Sequence, residues 1–488
     1  MKQFKYERIS RLIGLLIIVI VTTNPISSAQ IININGPQQD MTIDAKMRAA
    51  VIEGAIKALN ENYIFPETAK KMEQVVRERM KRKEYDKITS AENLAGTLTA
   101  HFQEVSRDKH LRVRYSQEIL PDFNNQPQGP SPEQRAFASA HNFGFEKVER
   151  LDGNIGYFDL RGFMDAEMAS ETAATTMNSL ADTDALIIDL RLNGGGQPEM
   201  VALLSSYLFD KRTHLNDIYS RFDNRTQEFW TRETVAGKRY GENKPVYVLT
   251  SKRTFSAGEE FTYNLKNLKR ATIVGETTGG GAHPVRPHRL TDHFMIGVPF
   301  ARAINPITKT NWEGTGVKPD VETTAEQALK VAHLAALKNL AAKTTDQQHI
   351  IELQRVIATT QKELDELKSP ATQQTTATLE EGLKLPNTPA GNTLGKFIRA
   401  FNTGDLATLR RFHEEHGGDP ENAQQDIGFY EQSGGLELHS VISSNEHAIE
   451  VLAQSKNDES WLSFAISVAA LPPNGITDIR VRPTEAPK

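Results

Sequence analysis

The sequence predicts a buried strand followed closely by a serine that begins a helix, and this junction constrains the fold more than any other feature of the chain. Residues 246–250 (VYVLT) are typical of a buried strand, and TFSAGEEF follows at 254–261. The small residues after Ser256 and the two glutamates beyond them favour a helix start. The helix amides would then point toward negative charge developing beside the hydroxyl. The pattern leaves two interpretations of Ser256 open, a helix cap and a nucleophile.

A second apolar run, 185–190, leads into three consecutive glycines. The segment DLRLNGGG extends from Asp189 to Gly196. Glycines directly after a strand let backbone amides approach a substrate and donate to an oxyanion. The Lys-Ser/Thr ending of a nucleotide-binding loop is missing here, which argues against a nucleotide site. A plain tight turn is the alternative.

The order of predicted elements divides the chain into domains. Strands alternate with helices through the middle of the chain and predict an α/β core. Helical periodicity precedes this core, and the C-terminal pattern predicts a separate α+β domain similar to cone-like (NTF2-like) accessory domains. The predicted segments are a signal peptide (1–29), an N-terminal helical domain (44–115), a linker (116–144), the core (145–322), a helical extension (323–367), a flexible linker (368–392) and the accessory domain (393–488).

The N-terminus has the pattern of a secretory signal peptide. Basic residues precede the apolar run 12–21, and small polar residues follow up to Ala29. A run of about ten apolar residues is too short to span a bilayer comfortably. We therefore expect export to the periplasm or the medium, with cleavage near Ala29 and no permanent membrane span in the mature chain.

Composition narrows the function classes. The 488 residues carry a formal net charge of -5 and include no cysteine. No basic stripe stands out, so we expect no nucleic-acid partner. Without cysteine there is neither a disulfide framework nor a lipid-modified cysteine, and with only scattered histidines we expect no metal or other cofactor.

Seven short blocks, in order along residues 44–345, resemble peptidase family S41, the tail-specific or carboxy-terminal processing proteases. The similarity is greatest to the branch of the interphotoreceptor retinoid-binding protein repeats and tricorn-type members. This resemblance implies a ClpP/crotonase-like spiral of β-β-α units with Ser256 as nucleophile. The blocks are NYIFP (62–66), DKHLRV (108–113), NIGYFDL (154–160), DLRLNGG (189–195), TFSAGE (254–259), VGETTGGG (274–281) and GTGVKPD (314–320).

The resemblance also shapes the predicted catalytic residues. The processing proteases activate their serine with a downstream lysine, but TTGGG occupies the corresponding place, residues 277–281. The tricorn-type branch implies His110 as the base instead, oriented by Glu313. Two other carboxylates are alternatives for supporting the site, Asp108 and Glu259, and His283 is an alternative base.

The oxyanion is expected between the amide of Ala257 and that of Gly194 or Gly195. With Ser256 as nucleophile, the sequence predicts an exported serine endopeptidase that acts on polypeptides. Two other classes remain open on the same residues. One is a non-catalytic carrier of hydrophobic ligands, as the repeats of the branch imply, and the other is a non-peptide acyl hydrolase.

Overall fold

A computed structural model describes most of the chain after the predicted signal peptide. The predicted signal peptide and residues 369–384 of the predicted flexible linker lie outside the described residues. Within the described ranges, no helix is both long enough and apolar enough to cross a membrane. The described residues are 40–123, 130–368, 385–386, 388–418, 420, 422–469 and 475–484.

Three helices form the N-terminal module. The Asp44 and Ser90 side chains cap the first and third of them by accepting the N–H groups of Met47 and Asn93. Each capping bond satisfies an amide that has no acceptor within its own helix. The helices are α1 (Ala45–Asn62), α2 (Pro66–Lys81) and α3 (Ala91–Ser106).

The N-terminal module shares its apolar core with the next part of the chain. Strand β1 (Arg112–Tyr115) pairs antiparallel with a strand from far along the chain, opposing Val113 to Ile296. Phe294, Ile296 and Val298 pack among the apolar side chains of the three helices. This pairing holds the segment just before β1, which contains His110, against the α/β core.

A six-stranded sheet forms the centre of the core, in the order β12-β8-β7-β4-β3-β2. All neighbouring pairs are parallel except β2 with β3. The central strands are apolar on both faces, as expected for parallel strands covered on both sides. The strands are β2 (Phe145–Leu151), β3 (Ile155–Leu160), β4 (Ala185–Asp189), β7 (Val246–Thr250), β8 (Thr272–Gly275) and β12 (Val321–Glu322).

Helices cover both faces of this sheet. Three of them bury one face around Phe158 and Ile188, and two long helices bury the other around Ile187 and Leu249. The first three are α5 (Ala166–Leu180), α6 (Pro198–Ser206) and α7 (Ala257–Asn267), and the last two are α8 (Ala328–Lys343) and α9 (Gln347–Lys368).

Two smaller sheets complete the surroundings of the core. One has the order β1-β10-β9 and the other β11-β5-β6. Their remaining strands are β5 (His214–Ser220), β6 (Arg225–Trp230), β9 (Val285–Arg289), β10 (Phe294–Pro299) and β11 (Ala301–Ile304).

The C-terminal domain packs three helices on a four-stranded antiparallel sheet in sequential strand order. The alternating burial of β15 matches a sheet with one face on its own core. Its helices are α10 (Pro389–Phe401), α11 (Leu406–Glu415) and α12 (Asn422–Ser433), and its strands are β13 (Leu436–Ser444), β14 (Ala448–Ser455), β15 (Trp461–Val468) and β16 (Ile476–Pro483).

The predicted architecture of a helical N-terminal module, an α/β core and a separate C-terminal α+β domain is confirmed. One segment differs from its prediction. Residues 116–144 read as a linker because of their prolines, but they contain helix α4 (Pro132–Ala140). Pro132 stands in the first turn of that helix, where its missing N–H costs nothing, and Ser131 and Gln134 form a reciprocal capping box.

Candidate active site

The two loops singled out in the sequence meet at the carboxyl ends of neighbouring strands. Strands β4 and β7 are parallel and adjacent, so the glycine turn and the serine loop leave the sheet side by side. Thr254 Oγ1 donates to the Leu190 carbonyl (2.7 Å), and Phe255 N–H donates to the Asn193 carbonyl (3.0 Å). Ligands of open α/β sheets bind at this edge of the strands.

Ser256 has a backbone conformation that L-residues rarely adopt. Its φ is 54° and its ψ is -120°, and it lies at the N-cap of α7. Its N–H donates to Glu259 Oε2 (2.9 Å), while its carbonyl accepts the N–H groups of Glu259 and Glu260. Strain of this kind persists only where surrounding contacts enforce it, and it is concentrated at functional sites. A strained serine between strand and helix is also the geometry of the nucleophile elbow of hydrolases.

The glycine turn packs directly against this serine. Gly195 has a φ of +110°, and a β-carbon added there would stand 2.7 Å from Ser256 Cβ. Both candidate oxyanion amides of the turn are occupied here. Gly194 N–H donates to the Arg161 carbonyl (3.2 Å), and Gly195 N–H donates to Asn193 Oδ1 (2.9 Å). The Ala257 amide is the first of α7, where amides have no acceptor within the helix.

Glu259 is a buried carboxylate whose hydrogen bonds join two loops. Its Oε2 accepts the N–H groups of Ser256 and Gly281 (2.9 and 2.8 Å). Its Oε1 accepts the Thr278 hydroxyl (2.5 Å) and the Gly280 N–H (2.6 Å). Burial raises the pKa of Glu259 to about 7, although these hydrogen bonds favour its charged form. Glu259 thus joins the serine loop to the loop at 278–281.

His110 stands at the same cavity as Ser256. Its ring lies 4.6 Å from that of Phe255, between centroids, and a β-carbon on Gly281 would stand 2.6 Å from His110 Cε1. Its backbone N–H donates to Asp108 Oδ1 (3.0 Å). Desolvation by burial lowers the pKa of His110 to about 4, so the imidazole is neutral at neutral pH. Its Nδ1 is buried, and no described residue accepts from it or donates to it.

The predicted carboxylates contact the ring of His283 rather than that of His110. Asp108 Oδ2 lies 2.6 Å from His283 Nδ1 and also accepts the Tyr63 hydroxyl (3.3 Å). Glu313 Oε2 lies 3.5 Å from the same nitrogen and accepts the Ala282 N–H at 2.6 Å. Burial opposes the charge of His283, but the hydrogen bond that His283 donates to Asp108 and the charges of Asp108 and Glu313 outweigh it and raise the His283 pKa.

Asp108, His283 and Glu313 also offer three ligand atoms within 4.8 Å of one another. A His nitrogen and a carboxylate oxygen at 2.6 Å share a proton, because metal-bound ligands stand farther apart. Burial and the neighbouring Asp108 charge raise the pKa of Glu313. The arrangement in this structure is therefore that of a buried hydrogen-bonded cluster.

The cavity over Ser256 has a volume of about 670 Å³, within the range of ligand sites. Its lining includes Ser256, Ala257 and His110, and it extends between α6, β5, β6 and β9. Glu260 also lines it. The sequence shows this residue in TFSAGEEF, four positions after Ser256 and hence on the same helix face, but the pattern alone gives it no role.

Tyr63 is another residue whose place the sequence did not explain. It lies in the NYIFP block, and its hydroxyl reaches Asp108 from the N-terminal module.

Arg253, three residues before Ser256, contacts the C-terminal domain by donating to the carbonyls of Glu414 (3.2 Å) and Glu415 (3.0 Å). These carbonyls end helix α11, where a cation is favourable.

The site combines a strained serine at a strand–helix junction, an imidazole at the same cavity and a glycine turn beside them, an arrangement that serine hydrolases use. Residues 154–323 match the model of peptidase family S41, and residues 41–141 match the N-terminal domain of Peptidase_S41 in eukaryotic IRBP. The two matches together cover more than half of the 488 residues. The chain belongs to peptidase family S41.

Curated relatives agree with this family. Tricorn protease of Thermoplasma volcanium is 28% identical over 176 residues, which are 36% of this chain and 15% of that protein. The chloroplastic carboxyl-terminal-processing peptidase 2 of Arabidopsis thaliana is 30% identical over 176 residues, or 34% and 31% of the two chains. Carboxy-terminal processing protease CtpA of Bacillus subtilis is 25% identical over 191 residues, 39% of each. The chain spans less than half of the length of each of these relatives.

Proposed function

We propose that this protein is a serine peptidase that cleaves polypeptides with Ser256 as nucleophile and His110 as general base. The observation that carries the proposal is the strained Ser256, held at φ 54° and ψ -120° at the start of α7 and facing the cavity that His110 also lines. The match to an S41 peptidase model supplies the reaction class.

The proposed reaction needs a neutral imidazole, and the lowered pKa of His110 keeps it neutral at neutral pH. The imidazole takes the Ser256 proton as the hydroxyl oxygen attacks the scissile carbonyl carbon. The same proton passes to the leaving amine when the C–N bond breaks. Water then attacks the acyl-enzyme and gives a proton to His110, which returns it to Ser256 Oγ as the acyl C–O bond breaks and the acid product leaves.

We propose that Glu313 orients His110 once substrate is bound. His110 Nδ1 and Glu313 Oε1 are both buried without a partner among the described residues. The two side chains border consecutive residues, because His110 faces Gly281 while Glu313 holds the Ala282 amide. A hydrogen bond between these two atoms would satisfy both and fix the imidazole tautomer.

The oxyanion is proposed to bind the Ala257 amide, with a second donor from the glycine turn. The Gly195 amide can serve when it exchanges Asn193 Oδ1 for the oxyanion, a stronger acceptor because it is charged. A single donor of this kind contributes about 3 kcal/mol to transition-state stabilisation.

We also propose that the protein acts after export. The basic and apolar pattern of residues 1–29 supports this, and N-terminal sequencing of the protein recovered from a secreting host tests it. A mature N-terminus near residue 30 is the expected result, and an intact N-terminus in the cytosolic fraction would contradict it.

Labelling with a serine-directed phosphonate tests the catalytic proposal. We expect the phosphonate to attach to Ser256 in the folded protein, and casein or peptide hydrolysis to be lost in Ser256→Ala. Ser205→Ala is the matched control, since that serine is buried on α6. If the wild type takes up no label and cleaves no peptide, the proposal of a peptidase is wrong. Equal binding of apolar ligands by the wild type and Ser256→Ala would then favour a carrier of hydrophobic ligands.

A further inference from the structure

Glu260 is a buried acid at the wall of the substrate cavity. It lies one turn after Ser256 on α7, and only 5% of its surface is exposed. The side chain lines the cavity, while its Oε1 is buried and has no hydrogen-bond partner among the described residues. A buried carboxyl with an unsatisfied oxygen is costly, so a native chain that keeps one at a ligand cavity indicates a ligand group that satisfies it.

Apolar side chains surround the approach to this carboxyl. Ile218, Phe229 and Ala303 line the same cavity from β5, β6 and β11. A long side chain with an apolar stem and a polar end fits such walls, because its methylenes contact hydrocarbon while its end reaches the acid. Lysine and arginine are the amino-acid side chains with this construction.

Among the described residues, no cation is one of the groups that shift the pKa of Glu260. Besides Ser256 and His110, the cavity lining carries Glu199, Asp223, Arg225 and Arg286. Burial raises the pKa of Glu260 to about 8; the nearby Asn216 amide lowers it and the charge of Glu199 raises it, whereas neither arginine contributes. The unliganded carboxyl therefore holds a proton at neutral pH and releases it when a cation binds.

We propose that Glu260 determines specificity by binding the ammonium or guanidinium group of a lysine or arginine side chain next to the scissile bond. This rests on the proposed function, because the pocket is useful for specificity only if Ser256 attacks the substrate beside it. Glu199 at the same cavity adds a second negative charge, farther out and exposed to solvent.

Peptides that differ only in the residue before the scissile bond test the proposal. We expect kcat/KM for the lysine peptide to exceed that for the norleucine peptide, which has nearly the same length and no charge. Glu260→Gln should reduce this ratio at least tenfold, because the amide cannot provide the compensating charge. Glu233→Gln, at an exposed position outside the cavity lining, is the control and should keep the ratio.

A binding measurement makes the test independent of turnover. Calorimetry of n-butylamine binding to Ser256→Ala, in two buffers of different ionisation enthalpy, counts protons released. We expect release of nearly one proton per bound amine at pH 7, since a carboxyl of pKa about 8 is then about nine-tenths protonated. In the double variant Ser256→Ala/Glu260→Gln, we expect no proton release and little binding of n-butylamine.

The outcomes separate this inference from the proposed function. If Ser256 takes up phosphonate and peptides are cleaved, but the lysine-to-norleucine ratio is the same in Glu260→Gln, the specificity role is wrong and the peptidase stands. If amine binds to Ser256→Ala without proton release, Glu260 is not its partner. Phosphonate labelling of Glu260→Gln confirms that this variant is folded. If the variant does not fold, proton release in the calorimetry of Ser256→Ala decides whether Glu260 binds the amine.

Discussion

Asp108 Oδ2 lies 2.6 Å from His283 Nδ1, so the acid two residues from His110 in the chain serves a different histidine. To His110 it offers Oδ1, which accepts the backbone N–H. One carboxylate therefore fixes the main chain of the proposed base and the side chain of His283 together. The Tyr63 hydroxyl also donates to Asp108 Oδ2, and Glu313 Oε2 lies 3.5 Å from His283 Nδ1.

This relationship predicts the effect of Asp108→Asn on His283. The amide side chain of this variant is uncharged, so the His283 imidazolium loses its closest negative charge. Burial then outweighs the remaining attraction, and the His283 pKa should decrease from its raised value. NMR titration of the histidine ring protons measures the change. Asp86→Asn, at an exposed position, should leave the titration unchanged. A His283 pKa that stays raised in Asp108→Asn would mean that Glu313 alone sets it.

The pH dependence of activity should distinguish the two candidate bases. The imidazole of His110 must be neutral to accept a proton, and its lowered pKa keeps it so until the pH approaches about 4. We expect kcat/KM of stable wild-type enzyme to persist as the pH falls below 6.5. The pKa values of His283 and Glu313 are both raised, so an acid limb above 6.5 would identify His283 as the base only if it persists in Glu313→Gln.

Gly195→Ala should impair the site through geometry. The added carbon would meet Ser256 Cβ at 2.7 Å, and a φ of +110° is unfavourable for alanine. We expect a loss of about 1–3 kcal/mol in unfolding free energy and at least a tenfold slower phosphonate labelling. At Gly194 a β-carbon meets nothing within 4 Å, so Gly194→Ala should be clearly milder in both assays. Equal effects would contradict the contact between Gly195 and the serine.

Stability should decrease as the pH rises from about 6.5 to 8.5. Burial raises the pKa of Glu259 to about 7 and that of Glu260 to about 8. A carboxyl with a higher pKa in the folded protein stabilises it at low pH, and this contribution is lost as the pH rises through the folded value. The pKa values of His110 and His416 are lowered from 6.5, so these two histidines change the stability only below pH 6.5 and not in this window.

Thermal unfolding midpoints at pH 6.5 and 8.5 measure this effect. Glu260→Gln cannot ionise, so the midpoint of this variant should change less between the two pH values than that of the wild type. Glu67→Gln, whose side chain is exposed on α2, should behave as the wild type does. A midpoint that rises with pH would contradict the buried, protonated carboxyls.

Local patterns were enough to predict much of this structure. Short stretches of sequence encode the strand at 246–250, the helix after Ser256 and the glycine turn after β4. Each depends on residues that are neighbours in the chain, through apolar pattern, helix capping or backbone freedom. The helical module, the α/β core and the C-terminal α+β domain follow from the same periodicity. The family resemblance further brought together Ser256 and His110, which are distant in the chain and line one cavity.

Tertiary structure alone decided how the charged groups are partnered. Asp108, His283 and Glu313 come from three segments, and their pairing depends on the register of β1 with β10, which sequence spacing does not specify. The same holds for Glu260, which becomes a buried acid only because strands from another sheet close over α7. Ser256 was defined by the sequence as a helix start, but its strained φ is enforced by packing against loops far from it in the chain. Burial and charge pairing depend on the whole fold, and no local pattern encodes them.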